Sequence, residues 1–438
     1  MNLITCPGKL LLLPPILYKF ILLSSRRLKP TPFNNKNYTY LGLAALSVIF
    51  IFIAYTRGMK ADVNGDYHIY WETGRNFFGG QKLYTPGLLD GGFTYPPFAA
   101  LFFSLFSWMP FHTSAFLYSY FVDYGLWVVS LILVKKIFDH LLPGQNIVMP
   151  FILASLLSIG FYWHNFIWMN ANMPVLCLTL LGIWFYINKK FNYSYLFFWA
   201  GAFFKVTPII FLFFAALKRP VKEWPKIILM ALPFIILPML LRGSISAGIA
   251  DWQGYYEAFI APFSKGQTDD NIISLGIPVI LNKLNTGNAE LGYEPVLHLS
   301  EYALKILILA IQVLIVGALT IKVVYDKYVN HNDDFSAADL CIIFLITLLL
   351  PGRVWGHHHV CTSFIYTYLF ILLRDKKILF GISFLLCLLM NFMTKGSIGQ
   401  TMTDFLRQYT YITWVMIFIG VVIVYYGYFA KRERLATV

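Results

Sequence analysis

The stretch Tyr302–Val324, YALKILILAIQVLIVGALTIKVV, decides the class of fold. Its only charged residues, Lys305 and Lys322, lie near its ends. A helix needs roughly 20 apolar residues to cross the hydrocarbon core of a bilayer. Backbone groups in that core must be satisfied within the segment, which selects helix over irregular chain. The stretch is therefore read as a membrane span. Segments of the same kind are Tyr38–Tyr55, Ser114–Val134, Ile147–Phe166, Met173–Ile187, Trp224–Leu241, Ala337–Pro351, Val360–Leu373, Ile378–Phe392 and Thr410–Phe429.

The rest of the chain agrees. Of 438 residues, 58% are hydrophobic and 13% charged, about half the charged share of a soluble domain. The net charge of +13 does not point to nucleic acid, because the basic residues sit in short patches beside the apolar segments: Arg26-Arg27, Lys135-Lys136, Lys189-Lys190, Lys218-Arg219, Lys376-Lys377 and Lys431-Arg432. With both termini inside, these patches fall on the cytoplasmic side, as the positive-inside bias requires. The expected fold is an all-α polytopic membrane protein with about 10–12 transmembrane helices. Its single membrane domain covers 38–430, between an interfacial N-terminal segment 1–37 and a cytoplasmic tail 431–438. The five cysteines are scattered among apolar residues and show neither a disulfide framework nor a zinc spacing.

One apolar segment breaks the pattern. Tyr193–Leu217 is basic at both flanks and is interrupted by Phe204-Lys205-Val206-Thr207-Pro208. Two half-helices folding back as a hairpin reconcile the flanking charges, provided the broken backbone is buried in protein or faces a wet cavity. Two long outer loops, 56–113 and 242–301, exceed the length of ordinary connections and are expected to hold surface helices. Asp66–Phe78 and Ile249–Phe263 mix aromatic and charged residues in a way suited to the membrane interface, and Tyr95–Met109 reads as a further short helix entering the membrane at an angle.

Chemistry is expected on the outer face. Asp66 follows the first span, where partial desolvation raises a carboxylate pKa and improves it as a base. The plainer reading of Asp66 and Asp62 is a pair of solvated loop acids. Asp62 would otherwise orient the acceptor or a lipid phosphate. At a second outer junction, Arg353, Trp355, His357 and His358 in PGRVWGHHH suit an anionic phosphate or simple interfacial packing. Adjacent residues on a helix diverge too far for the histidines to chelate a metal well. Lys205 within a membrane segment is functional by default, either as a phosphate contact or as a buried partner of Asp123. Asn170 and Asn172 in WMNANMP, and the segment QTDDNIISL, offer amides suited to sugar hydroxyls.

Together these segments resemble Glycosyltransferase family 87, polyprenol-phosphate-mannose-dependent α-mannosyltransferases of the C superfamily. The resemblance rests on Asp66, Tyr70, Gly79-Gly80, Tyr84 and Tyr95-Pro96-Pro97. It continues with Lys205 and Pro208, Asn271 and Ser274, and Trp355, His357 and His358. Met169-Asn170 stands where the family usually has Gly-Gln, and Leu350-Pro351 where it has Ser-Pro. The resemblance implies an inverting hexosyltransferase of the inner (plasma) membrane that uses a polyprenyl-phosphate sugar, with no cofactor and no required metal. It implies Asp66 as the catalytic base. Asp62, Tyr70, Tyr95, Lys205, Asn271, Arg353, Trp355, His357 and His358 would bind substrate, and the acceptor would be a glycan or glycolipid. The rival classes are a transporter or flippase of lipid-linked saccharides, which would favour inverted repeats, and a non-catalytic partner sharing the fold. No such repeat is evident.

Overall fold

The computed structural model describes residues 36–85, 92–264, 268–269, 271–392 and 395–430. The expected N-terminal interfacial segment and the tail 431–438 lie outside them, apart from Lys36 and Asn37. Two compact units are distinguished, Met1–Ile49 and Phe50–Val438. All the side chains of the candidate site belong to the second.

The described residues form helices and no strands, so the all-α class holds. Among the described residues, four helices are long and apolar enough to cross a membrane: Phe111–Leu141, Val221–Leu241, Glu301–Tyr328 and Tyr411–Phe429. A fifth is the bent pair Val148–Leu157 and Ile159–Trp168. Shorter apolar helices include Asn172–Ile187, Ala337–Leu349 and Lys377–Phe392. Fewer uninterrupted helices of spanning length are therefore found among the described residues than the sequence segments suggest, because several apolar helices are shorter than a span and Ile147–Phe166 is divided at Ser158. Helix Glu301–Tyr328 exposes Ile306, Leu309, Val313, Leu314 and Ile321, the surface expected of a helix facing lipid.

The interrupted segment forms a helical hairpin. Helices Phe191–Phe204 and Ile209–Leu217 run back along each other, with the Phe198 and Phe211 rings stacked at 5.9 Å. At the open end the Arg219 guanidinium lies 3.9 Å from the Phe191 ring centroid. Lys218 donates to the backbone oxygens of Asn332 and Asp334 there, and Lys189 pairs with Asp334. Both basic flanks thus meet at one end, and Lys205 sits at the tip. A straight helix would have separated the two flanks by the length of the segment.

The first long loop contains helices Asp66–Gly79 and Pro97–Ser107, close to the expected bounds. Tyr67, Tyr70, Phe77, Tyr84, Phe93, Tyr95 and Phe103 form a buried aromatic core there, shared with Tyr118, Phe204 and Tyr255 of other elements. Such rings contribute most of the burial energy of a small layer, at about 25 cal/mol per Å² of apolar surface. The second loop holds Ile245–Tyr255 and its π-helical extension Tyr256–Ile260, with a further helix at Ile277–Thr286.

Candidate active site

Asp66 opens helix Asp66–Gly79. A carboxylate in a first helical turn faces free N–H groups and the positive end of the helix dipole. Its Oδ2 accepts a hydrogen bond from Asn170 Nδ2 at 2.9 Å. Burial pushes the Asp66 carboxyl above its usual range, while the Asn170 bond and the charges of Lys205 and Arg353 act against that shift. The same Asn170 amide donates to the Tyr70 hydroxyl at 3.1 Å. Its carbonyl accepts from the Tyr95 hydroxyl at 3.2 Å and from Asn172 Nδ2 at 2.9 Å. Tyr70 and Tyr95 bond each other at 3.1 Å, and Tyr84 donates to the Tyr95 carbonyl at 2.7 Å. The motif tyrosines therefore hold the amide that holds the acid.

Asn170 reaches this position through an unusual turn. Met169 ends helix Ile159–Trp168 in the left-handed region, with φ of 48°, a conformation that favours glycine. Asn172 then begins the next helix. Its carbonyl accepts from Lys205 Nζ at 2.8 Å, and its amide also donates to Asn165 Oδ1 at 3.1 Å. Asn165 in turn donates to Asp123 Oδ1 at 3.1 Å. Lys205 and Asp123 are thus joined through two asparagines and not as a direct ion pair.

The basic side is assembled by residues far apart in sequence. Lys205 Nζ is 2.5 Å from His358 Nε2 and 5.6 Å from the centroid of the Tyr95 ring. His358 Nδ1 lies 2.8 Å from the Trp355 backbone nitrogen and 3.2 Å from its carbonyl oxygen. Trp355 Nε1 donates to Asp269 Oδ2 and to Ser274 Oγ, each at 2.9 Å. Arg353 Nε stands 3.5 Å from Asp269 Oδ2, with its guanidinium 5.0 Å from the Trp355 ring centroid. Backbone bonds from Asp269 N to Gly352 O and from Leu275 N to Val354 O clamp the two loops together at 2.9 and 2.7 Å. Lys283 Nζ secures the turn from behind by donating to the carbonyls of Ile272 and Ser274.

The candidates separate accordingly. Asp66, Tyr70, Tyr95, Lys205, Arg353, Trp355 and His358 join one continuous network. His357 is buried against the rings of His164 and His358, and its Nδ1 has no hydrogen-bond partner. Burial and the Lys205 charge hold both His357 and His358 well below the usual histidine range, so both rings are neutral near pH 7. Asn271 accepts from the Ile273 N–H at 3.1 Å and shapes its own turn, while Asp62 is exposed and caps Asn64 at 2.8 Å. Among the described residues, no three His, Cys, Asp or Glu side chains converge as metal ligands would.

Asp269 and Asn165 are participants that sequence reasoning did not single out. Asp269 lay in QTDDNIISL, but nothing local distinguished it from Asp270. Only the return of the Gly352–Trp355 segment onto this loop gives it a partner. Asn165 lies in a span whose helical register places it toward Asp123, a relation visible only once the two helices pack.

The model of Glycosyltransferase family 87 matches residues 93–351, more than half of the chain. No curated protein and no solved structure matches it.

Proposed function

The chain belongs to Glycosyltransferase family 87 and is a membrane glycosyltransferase, and we propose that it moves a hexosyl group, mannosyl by resemblance, from a polyprenyl-phosphate sugar to an acceptor hydroxyl on the outer face of the membrane. The observation that carries this reading is the Asp66–Asn170–Asn172–Lys205 connection. It fixes a carboxylate with a raised pKa near a cationic pair without letting the two neutralise each other in a direct ion pair.

Asp66 takes the proton of the acceptor hydroxyl as its oxygen bonds the anomeric carbon. The bond from that carbon to the phosphate oxygen breaks on the opposite face, and its electrons leave with the phosphate. One displacement inverts the configuration. Lys205 and Arg353 compensate the charge that develops on the departing phosphate, as fixed cations do for other leaving groups. Trp355, His358 and Asp269 hold those cations in place. The donor is a co-substrate that carries its own leaving group, so this scheme requires no cofactor.

The test is transfer of radiolabelled sugar from synthetic polyprenyl-phosphate mannose to a membrane-lipid extract. The wild-type protein is expected to incorporate label and Asp66→Asn to lose at least about 10³-fold of that rate. Equal incorporation by both would remove Asp66 as the base. Uptake of the lipid-linked sugar across vesicles without transfer would favour the transporter class.

A further inference from the structure

Asp123 is a buried carboxyl with no part in the proposed displacement. It lies in Tyr118–Gly125, a π-helical turn within the long span Phe111–Leu141. Its Oδ1 accepts from Asn165 Nδ2 at 3.1 Å, while its Oδ2 is buried without a hydrogen-bond partner. The titratable groups standing near it are Tyr67, Tyr118 and Tyr162. A leucine would fill such a place without the cost of an unanswered oxygen. A π turn also departs from regular helix, and such turns recur at functional sites.

What Asp123 touches is one end of a chain of amides. Asn165 Oδ1 accepts from Asn172 Nδ2 at 3.1 Å, and Asn172 Nδ2 also donates to Asn170 Oδ1 at 2.9 Å. Asn170 Nδ2 then donates to Asp66 Oδ2 at 2.9 Å and to the Tyr70 hydroxyl at 3.1 Å. Both N–H bonds of Asn172 and both of Asn170 are thereby used. The three asparagines are buried, so a reversed amide would find little water to answer it. The two ends of an asparagine amide are nearly equal in size, so hydrogen bonding rather than shape chooses its orientation. Asp123 Oδ1 draws the Asn165 N–H toward itself and leaves the Asn165 oxygen facing Asn172. That oxygen, together with the donor-only ammonium of Lys205, orients Asn172, and Asn172 orients Asn170. In the proposed displacement Asp66 gains a proton and Lys205 faces the departing phosphate, whereas Asp123 meets neither.

We propose that Asp123 is a positioning residue: acting through Asn165 and Asn172, it keeps the Asn170 N–H on Asp66 and the Asn172 oxygen on Lys205 throughout the reaction. Without an acceptor oxygen at position 123, the Asn165 amide is free to reverse and to meet Asn172 nitrogen to nitrogen. Asn172 then loses one acceptor, and its hold on Asn170 loosens. That role rests on the glycosyltransfer reading for its meaning, while the bond pattern itself is open to measurement without turnover.

The experiment is infrared titration of the full chain in detergent with isotope-labelled aspartate, the Asp66 carboxylate band being assigned by its loss in Asp66→Asn. The groups that act on Asp66 are Asn170, Lys205 and Arg353, with Tyr70 and Tyr95 beside them. Asp123→Leu weakens the Asn170 bond that favours the ionised form, so the Asp66 midpoint should rise, equivalent to about a threefold loss of carboxylate on the acid side. Removing a negative charge at position 123 would by itself lower the midpoint, so a rise reports the amides. Asn165→Ala cuts the same chain from the other helix and should raise the midpoint likewise, which covers a failure of Asp123→Leu to fold. Asp123→Asn should bring the midpoint back to the wild-type value or below, because an amide oxygen can accept the Asn165 N–H. In the Asn170→Ala background Asp123→Leu should add no further rise. An unmoved midpoint in Asp123→Leu or Asn165→Ala would overturn the proposal, as would a rise that Asp123→Asn fails to reverse or one that adds to that of Asn170→Ala. The expected titrations without sugar transfer by the wild type would count against the glycosyltransfer reading alone.

Discussion

Two apolar segments of this protein are broken in the middle, and they are broken for different ends. In the first, helices Val148–Leu157 and Ile159–Trp168 meet at Ser158 with a bend of 43°. Neighbouring helices repair that break. Asn391 donates to the Leu157 carbonyl at 2.7 Å and accepts the Gly160 N–H at 3.1 Å, while Thr362 bonds the Ser158 hydroxyl at 3.0 Å. Gly160 is required for this approach, since a Cβ there would lie 2.1 Å from Asn391 Oδ1. In the second, the hairpin tip at Lys205–Pro208 sends an ammonium to Asn172 and His358. The same device, an interrupted helix, closes on itself in one place and delivers a charge in the other. A break alone is therefore no sign of function; what its polar groups bond is.

Separate losses of activity and stability test that distinction. The largest expected effect is at the charged break. Lys205→Met should cut transfer by about 10²-fold, the usual consequence of removing one donor to a developing charge. Its melting temperature should stay within about 4 °C of wild type, because the tip is not a packing centre. A melting loss several times larger, with transfer per folded molecule preserved, would make Lys205 a structural residue and collapse the comparison. The repaired break should respond the other way. Asn391→Leu leaves the Gly160 N–H and the Leu157 carbonyl without that partner, at a cost of about 1–3 kcal/mol. Thermal unfolding in detergent reads this directly, and transfer per folded molecule should be unchanged.

The contrast also explains how far sequence reading carried. The hairpin was legible because its evidence is local: basic residues at both flanks and Lys-x-x-Pro between them. The surface helices of the first loop were legible because a loop of that length rarely lacks structure and Asp66–Phe78 mixes aromatic with charged residues. The Ser158 bend was not, because Ile147–Phe166 reads as one apolar run and the residues that stabilise its break lie more than 200 positions away, at Thr362 and Asn391. The site divides along the same line. Asp66, Lys205 and the Arg353–His358 segment stand out as polar groups at membrane boundaries. Asp269 and Asn165 do not, because each gains its role from a partner on another element. The tight Asn271 turn shows the converse: a polar residue at a motif position whose amide is spent on its own backbone.

The smallest expected effect ties the two breaks together. Helix Ile159–Trp168, the second half of the repaired segment, ends at the left-handed Met169 and hands the chain to Asn170, whose amide bonds Asp66. That bond stabilises the ionised carboxyl and holds its pKa below the value that burial alone would set. Asn170→Ala should therefore raise the Asp66 pKa further. A base must be deprotonated to act, so the acid limb of the kcat/KM profile should move to higher pH, with Lys205 and Arg353 still opposing the shift. Transfer near pH 7 should fall by about tenfold and recover at more alkaline pH. A tenfold fall with the acid limb unmoved would mean that Asn170 positions substrate and does not tune the base. In that case the bent segment, like the hairpin, would deliver a group to the substrate, and the difference between the two breaks would be one of charge only.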